Sequence, residues 1–124
     1  NMNMNLNMNI NMSNPPVLPR DLDERLSDSQ ALIPVIVQEV GTGAVLMLAW
    51  MNRQALLQTM TTGAATYWSR SRNELWVKGA TSGNRQKVHS IDIDCDSDAL
   101  LMQVDQIGVA CHTGSHSCFG QRIL

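Results

Sequence analysis

Charge is scarce in this chain and nearly balanced. Only 16% of residues are Asp, Glu, Lys or Arg, and the formal net charge is −2. With no basic surplus there is no electrostatic footprint for tracking a phosphate backbone, which argues against a nucleic-acid partner. No apolar run approaches the ~20 residues needed to span a bilayer, so no membrane partner is expected. A basic segment followed by a continuous apolar stretch is also missing from the N-terminus, so no secretory signal is expected. Three cysteines cannot all pair within one chain, and a reducing compartment would keep them as thiols. A cytoplasmic location of bacterial type is therefore expected. Regular alternation of strands and helices is absent, which excludes a Rossmann-type sheet. So is the His-x-Glu and Pro-Cys-x-x-Cys signature of the zinc nucleoside deaminases.

What remains suits one globular domain: 124 residues, 44% of them apolar. Residues 1–20 read as an Asn-rich and Pro-rich leader. Asn1 to Asn14 alternate asparagine with apolar residues, a pattern taken as a disordered extension, with an edge or swapped strand as the alternative, and Pro15, Pro16 and Pro19 form a stiff linker. Residues 21–124 are the domain. Leu32–Val40 and Ala44–Trp50 are β-branched and apolar runs joined by Gly41-Thr42-Gly43, the pattern of a hairpin. Asn52 stands as N-cap to a helix through Met60, which Gly63 can close. Ala64–Ser69 and Glu74–Lys78 flank a turn around Asn73. Val88–Asp94 and Ala99–Ile107 supply two further strands. The expected fold is α+β, mainly antiparallel β with one clear helix, in a compact single domain.

Seven residues, Asp92-Ile93-Asp94-Cys95-Asp96-Ser97-Asp98, interleave four carboxylates with a thiol, and Cys111 and Cys118 follow. Carboxylate oxygens suit a hard ion such as Mg²⁺, and thiolates suit Zn²⁺. If a strand ran through the whole segment, all four aspartates would share one face and repel one another until a cation neutralised them. A solvated acidic turn is the plainer reading. An EF-hand fits poorly, because Ala99 stands where the turn glycine belongs and no flanking helices are evident. Cys95, Cys111 and Cys118 offer three thiolates to one Zn²⁺. A fourth position filled by water would make hydroxide available at neutral pH, with an imidazole such as His112 moving protons. His112 or His116 filling that position would instead make the site structural. Taken one at a time, the cysteines also read as small buried hydrophobes and His112 as a loop histidine.

Between helix and acidic cluster lie Tyr67-Trp68-Ser69-Arg70-Ser71-Arg72 and Leu75-Trp76-Val77-Lys78-Gly79-Ala80-Thr81-Ser82-Gly83-Asn84. Arg70, Arg72 and Lys78 can bind phosphate, Ser82 and Gly83 can present a hydroxyl and a backbone N–H, and Trp76 can stack on a base. The alternatives are core packing for Tyr67 and Trp76 and an exposed strand face for the arginines.

Taken together, LIPVIVQ at 32–38, VLMLAWMN at 45–52, YWSRSR at 67–72, LWVKG at 75–79, TSGN at 81–84, DCDSDALL at 94–101 and CHTGSHSCF at 111–119 resemble the phosphoribosyl-AMP cyclohydrolases. The resemblance implies hydrolysis of the N1–C6 bond of the adenine ring in 1-(5-phosphoribosyl)-AMP by zinc-bound hydroxide, a step of histidine biosynthesis. It implies one Zn²⁺ per subunit on Cys95, Cys111 and Cys118, Mg²⁺ on Asp94, Asp96 and Asp98, and proton transfer by His112. It further implies an intertwined homodimer with shared active sites, Cys95 coming from one subunit and Cys111 with Cys118 from the other. A non-catalytic zinc-stabilised module binding a nucleotide or RNA is the competing expectation. Two positions depart from the family pattern. Ala80 replaces a frequent glutamate, so no carboxylate role transfers there, and Gly120 follows Phe119 where an aromatic residue is common. The chain ends at Leu124, so only the cyclohydrolase activity is expected, without the pyrophosphohydrolase domain that follows in some relatives.

Overall fold

Ile33, Val35 and Val37 are fully buried while Ile36 between them is exposed, because successive side chains of a strand face opposite ways. That alternation defines β1 (Ile33–Glu39) in the computed structural model, which describes residues 16–124. The same period places Met47, Ala49 and Met51 of β2 (Val45–Met51) and Leu100, Met102 and Val104 of β6 (Leu100–Gln106) in the core. These strands and β5 (Gln86–Ile93) make a four-stranded sheet in the order β2-β1-β6-β5. A separate hairpin pairs β3 (Thr66–Ser69) with β4 (Glu74–Val77).

The expected hairpins are present. Gly41 and Gly43 take positive φ between β1 and β2, and Asn73 does so between β3 and β4. The main helix, α2 (Arg53–Thr62), starts where expected: the Asn52 side chain accepts the N–H of Ala55 at 2.8 Å. It ends at Gly63, whose φ of 78° lets its N–H reach the Thr59 carbonyl. Buried Thr59 ties this helix to β3 by accepting the Thr66 N–H at 3.0 Å. Ala55 and Leu56 of α2 and Tyr67 of β3 are buried in the same core as the inner sheet face.

Two features add to the expected α+β fold. A second, short helix, α1 (Arg20–Arg25), precedes the sheet. Six residues cannot form a stable helix alone. Leu22 and Leu26 hold it in place, and burying two leucines is worth roughly 3–6 kcal/mol. Leu18 is also buried, so the chain joins the core before residue 21. The Asn/apolar alternation of residues 1–14 lies outside the described residues. The second concerns strand direction: pairing is mainly antiparallel, as expected, through β1–β2, β3–β4 and β5–β6, and β1 with β6 is the parallel pair. Among the described residues, no helix is long and apolar enough to cross a membrane.

Candidate active site

A β-bulge builds the first half of the site. Val37 pairs with Met47 and Gln38 with Val45, which leaves Leu46 without a partner on β1. Its carbonyl instead accepts the Cys118 N–H at 2.7 Å, and the Ser117 hydroxyl donates to the Val45 carbonyl at 2.8 Å. The loop closes on itself through the Ala110 N–H to His116 and the Cys111 N–H to Ser115. His116 also meets Glu39 at the end of β1, at 3.1 Å. Cys111 and Cys118 are thereby brought beside each other. The Thr113 hydroxyl, 3.0 Å from the Cys111 sulfur, and the Thr113 backbone hold that thiol below its ordinary value, with smaller help from Cys118 and Lys78. Partial desolvation of its sulfur, and then Cys111 beside it, push Cys118 up. Two adjacent thiols form a soft donor pair suited to Zn²⁺.

The second half of the site lies at the opposite corner of the sheet. Here the strand does not run through the acidic cluster: β5 ends at Ile93, and Asp94 opens a turn. The Asp94 carboxylate accepts the Asp96 N–H at 2.6 Å, and Ser97 takes the left-handed conformation with φ 59°. Asp92 is thus left on the strand, apart from the turn that holds the other three. Asp94, Cys95 and Asp96 are exposed, and their ligand atoms lie within 4.8 Å of one another. The Asp96 N–H, and next Asp98, hold the Asp94 carboxyl below its ordinary value, whereas hydrogen bonding to Asp94 raises Asp98. Such a cluster suits a hard divalent ion such as Mg²⁺. α1 anchors the turn, because the Arg25 guanidinium donates to the Asp96 carbonyl at 3.3 Å.

One chain does not gather the three thiols. Cys118 is fastened to β2 and Cys95 follows β5, the two edge strands of the sheet. Three strand spacings alone put roughly 14 Å between those edges. Sulfurs on one zinc lie about 4 Å apart, given Zn–S bonds of ~2.3 Å. Among the described residues, Asp94, Cys95 and Asp96 form the one grouping of three potential metal ligands whose donor atoms lie within 4.8 Å of one another.

The basic and aromatic residues separate by role. Tyr67 is core, fully buried and hydrogen-bonded to Gln86, which agrees with the packing alternative weighed for it. Trp76 is 39% exposed and tilts against Tyr67 at 5.5 Å, so core packing does not account for it. Arg70 holds its guanidinium 4.6 Å over the Trp50 ring. Trp50, Trp68 and Trp76, all three tryptophans of the chain, line one cleft of about 580 Å³ with Arg70. Arg72, in the β3–β4 turn, borders a neighbouring recess with Ser69, Ser71 and Trp76. Ser82 and Gly83 sit in an exposed turn closed by the Gly83 N–H to the Gly79 carbonyl, and the Ser82 hydroxyl accepts the Asn84 N–H. His112 is exposed beside Cys111. Lys78 differs from its expected phosphate role: it is only 9% exposed and donates to the Ala110 carbonyl at 2.7 Å.

Trp50, Trp68, Arg25 and Glu39 were not among the expected site residues, and His116, weighed as a fourth zinc ligand, meets Glu39. Trp50 ends an apolar run, so the strand pattern alone accounts for it. Its place in the cleft emerges only when β2 lies beside β3 and β4. A larger cleft of about 750 Å³ lies between the segment after α1 and α2. It carries no thiol, imidazole or acidic group, and its Arg53 is already engaged by Asp23, so it offers none of this chemistry.

Residues 47–120 match the family model described as phosphoribosyl-AMP cyclohydrolase. A Thermobifida fusca protein of that name is 59% identical over 107 residues, covering 86% of this chain and 92% of its own. One from Janthinobacterium is 60% identical over 96 residues, covering 77% of this chain and 72% of its own. One from Streptomyces avermitilis is 53% identical over 113 residues, covering 90% and 85%. With a family match across more than half its length and relatives this similar over most of it, the chain belongs to the phosphoribosyl-AMP cyclohydrolase family.

Proposed function

We propose that this chain hydrolyses the N1–C6 bond of the adenine ring in 1-(5-phosphoribosyl)-AMP, opening the ring to an imidazole carboxamide within histidine biosynthesis, in the cytoplasm. The observation that carries this reading is the thiol pair, Cys111 and Cys118, fixed on the β2 bulge with His112 adjacent. Cys95 would complete the set from a second copy. A two-fold axis in the plane of the open sheet face, bisecting the line between the two corners, carries each corner onto the other. That face exposes apolar residues for such contact: Ile36 pairs with Leu48 on one side and Leu101 on the other, and Ile36 and Leu48 are 38% and 48% exposed.

Cys95, Cys111 and Cys118 would hold Zn²⁺, which when bound lowers the pKa of its water toward ~7 and so supplies hydroxide at neutral pH. Asp94, Asp96 and Asp98 would hold Mg²⁺ near a phosphate end of the substrate. The residues of this chain do the rest. His112, exposed next to Cys111, takes a proton from the attacking water and returns one to N1 as the C6–N1 bond breaks. N1 carries the second phosphoribosyl group, so the adenine ring is cationic there and C6 is electrophilic from the start. Trp76, Trp50 and Trp68 offer apolar faces to the base, and Arg70 and Arg72 offer charge to phosphate. Ser82 stands in the turn after Lys78 and offers a hydroxyl to the same group, whereas the Gly83 N–H is already given to the Gly79 carbonyl.

The test is direct. Purified protein is incubated with phosphoribosyl-AMP while imidazole-carboxamide absorbance is followed. Absorbance should rise, stop on chelation and return with added Zn²⁺. No rise in metal-loaded protein that still binds the nucleotide would favour a non-catalytic binding module instead.

A further inference from the structure

Lys78 follows β4 in sequence, and Gly79 turns the chain behind it with φ 84°. A Cβ on Gly79 would lie 2.7 Å from the Asn84 backbone, so this close turn requires glycine. The ammonium is thus delivered inward, 9% exposed and 5.5 Å from the centre of the Trp76 ring. Among the described residues no carboxylate forms a salt bridge with it. A buried cation bonded only to a neutral carbonyl is unfavourable unless negative charge lies near. The ionisable groups that lie near it are the thiols of Cys118 and Cys111. Its one side-chain hydrogen bond, 2.7 Å to Ala110, grips the residue immediately before Cys111.

We propose that Lys78 is a positioning residue for the metal centre rather than a phosphate ligand. It pins the Ala110 carbonyl, which fixes where the thiol loop departs from the domain. Its charge also offsets the single excess negative charge that three thiolates leave on one divalent ion. This rests on the zinc reading above, and the experiment separates the two.

Metal-free protein is titrated with Co²⁺, and the sulfur-to-cobalt absorption bands report thiolate ligation. Zinc affinity follows by competition with a chromogenic chelator, and the melting temperature of each metal-free variant is recorded beside it. Lys78→Met should weaken Co²⁺ and Zn²⁺ binding roughly 10- to 100-fold, the usual cost of losing a partner beyond the ligands themselves. Lys78→Arg, which keeps the charge and a donor, should recover part of that loss. If Lys78→Met does not fold, Lys78→Gln keeps a donor and lacks the charge, and it should show weakened binding as well. A folded neutral variant that takes up cobalt as tightly as the unaltered protein, with only its KM for substrate raised, returns Lys78 to phosphate binding and overturns the proposal. Unaltered protein that shows no thiolate bands with cobalt overturns the zinc reading, and the role of Lys78 falls with it.

Discussion

Cys111 has its thiol 3.0 Å from the Thr113 hydroxyl and beside Cys118, so alanine there removes a donor no neighbour can replace. If the metal supplies the nucleophile as proposed, Cys111→Ala should abolish measurable zinc content and lower turnover by about 100-fold or more. Elemental analysis together with the absorbance assay checks both, and a zinc-free variant that turns over normally would refute the scheme. Trp76 makes a different prediction. It stands half open in the cleft, so Trp76→Ala should raise KM roughly tenfold or more, as losing one base–aromatic stack worth ~1–3 kcal/mol requires, with kcat less affected. These residues stand out in the sequence because their chemistry shows in their type: three thiols, an acidic cluster and an imidazole are rare enough to be noticed wherever they fold. Lys78 was read from its type in the same way. A lysine near arginines suggests phosphate, and nothing in the string shows that Gly79 turns it inward toward a carbonyl thirty-two positions later. Trp50 and Trp68 went unremarked because a tryptophan in a strand satisfies the packing pattern, and only the juxtaposition of separate strands gives it another use.

The elements that announce themselves are those whose signals are local. Asn52, the helix it caps and Gly63 lie within a few residues of one another, and all three behave as expected. Asn52→Ala should therefore cost about 1 kcal/mol of stability, and Asn52→Asp should recover most of it, as thermal unfolding would show. The β1–β2 turn allows a prediction about pH. The Thr42 hydroxyl first, and then His116, hold the Glu39 carboxyl below its ordinary value of 4.5. A carboxyl depressed in the folded state adds stability that is complete above the unfolded value and disappears as pH falls through the folded one. Thr42→Val should thus lower the melting temperature near neutral pH, and the gap from the unaltered protein should narrow as pH drops below 4.5. A gap that stays constant with pH would mean the Thr42–Glu39 contact carries no charge-dependent stability. Other elements were hidden because their causes are not local. α1 shows only Leu22 and Leu26 at helical spacing in a charged stretch, and it exists because the core receives those leucines. The parallel pairing of β1 with β6 joins residues separated by most of the domain, and no turn motif records it.

At the scale of the whole molecule, the sheet poses a problem that a single chain leaves open. It fastens Cys118 to one edge strand and carries Cys95 off the other, roughly 14 Å or more away by strand spacing. A pattern of cysteines in a string has no corners, so this separation becomes visible only in the fold. If two copies join so that each lends Cys95 to the other's thiol pair, two defective chains can repair one another. Cys95→Ala and Cys111→Ala homodimers should each be inactive, because every site lacks a sulfur. In a mixed dimer, one site has lost both sulfurs. The other takes Cys95 from the Cys111→Ala chain and Cys111 with Cys118 from the Cys95→Ala chain, so it is whole. Random reassortment of equal amounts makes half the dimers mixed, and each mixed dimer has one working site of two. Activity should rise from near zero to about one quarter of the unaltered protein's, following the statistics of a two-fold oligomer. Ile36→Glu in the Cys111→Ala chain should prevent the rescue by placing charge in the apolar face proposed to join the copies. A mixture that stays inactive while cross-linking shows that mixed dimers have formed would mean the three sulfurs do not meet across two copies.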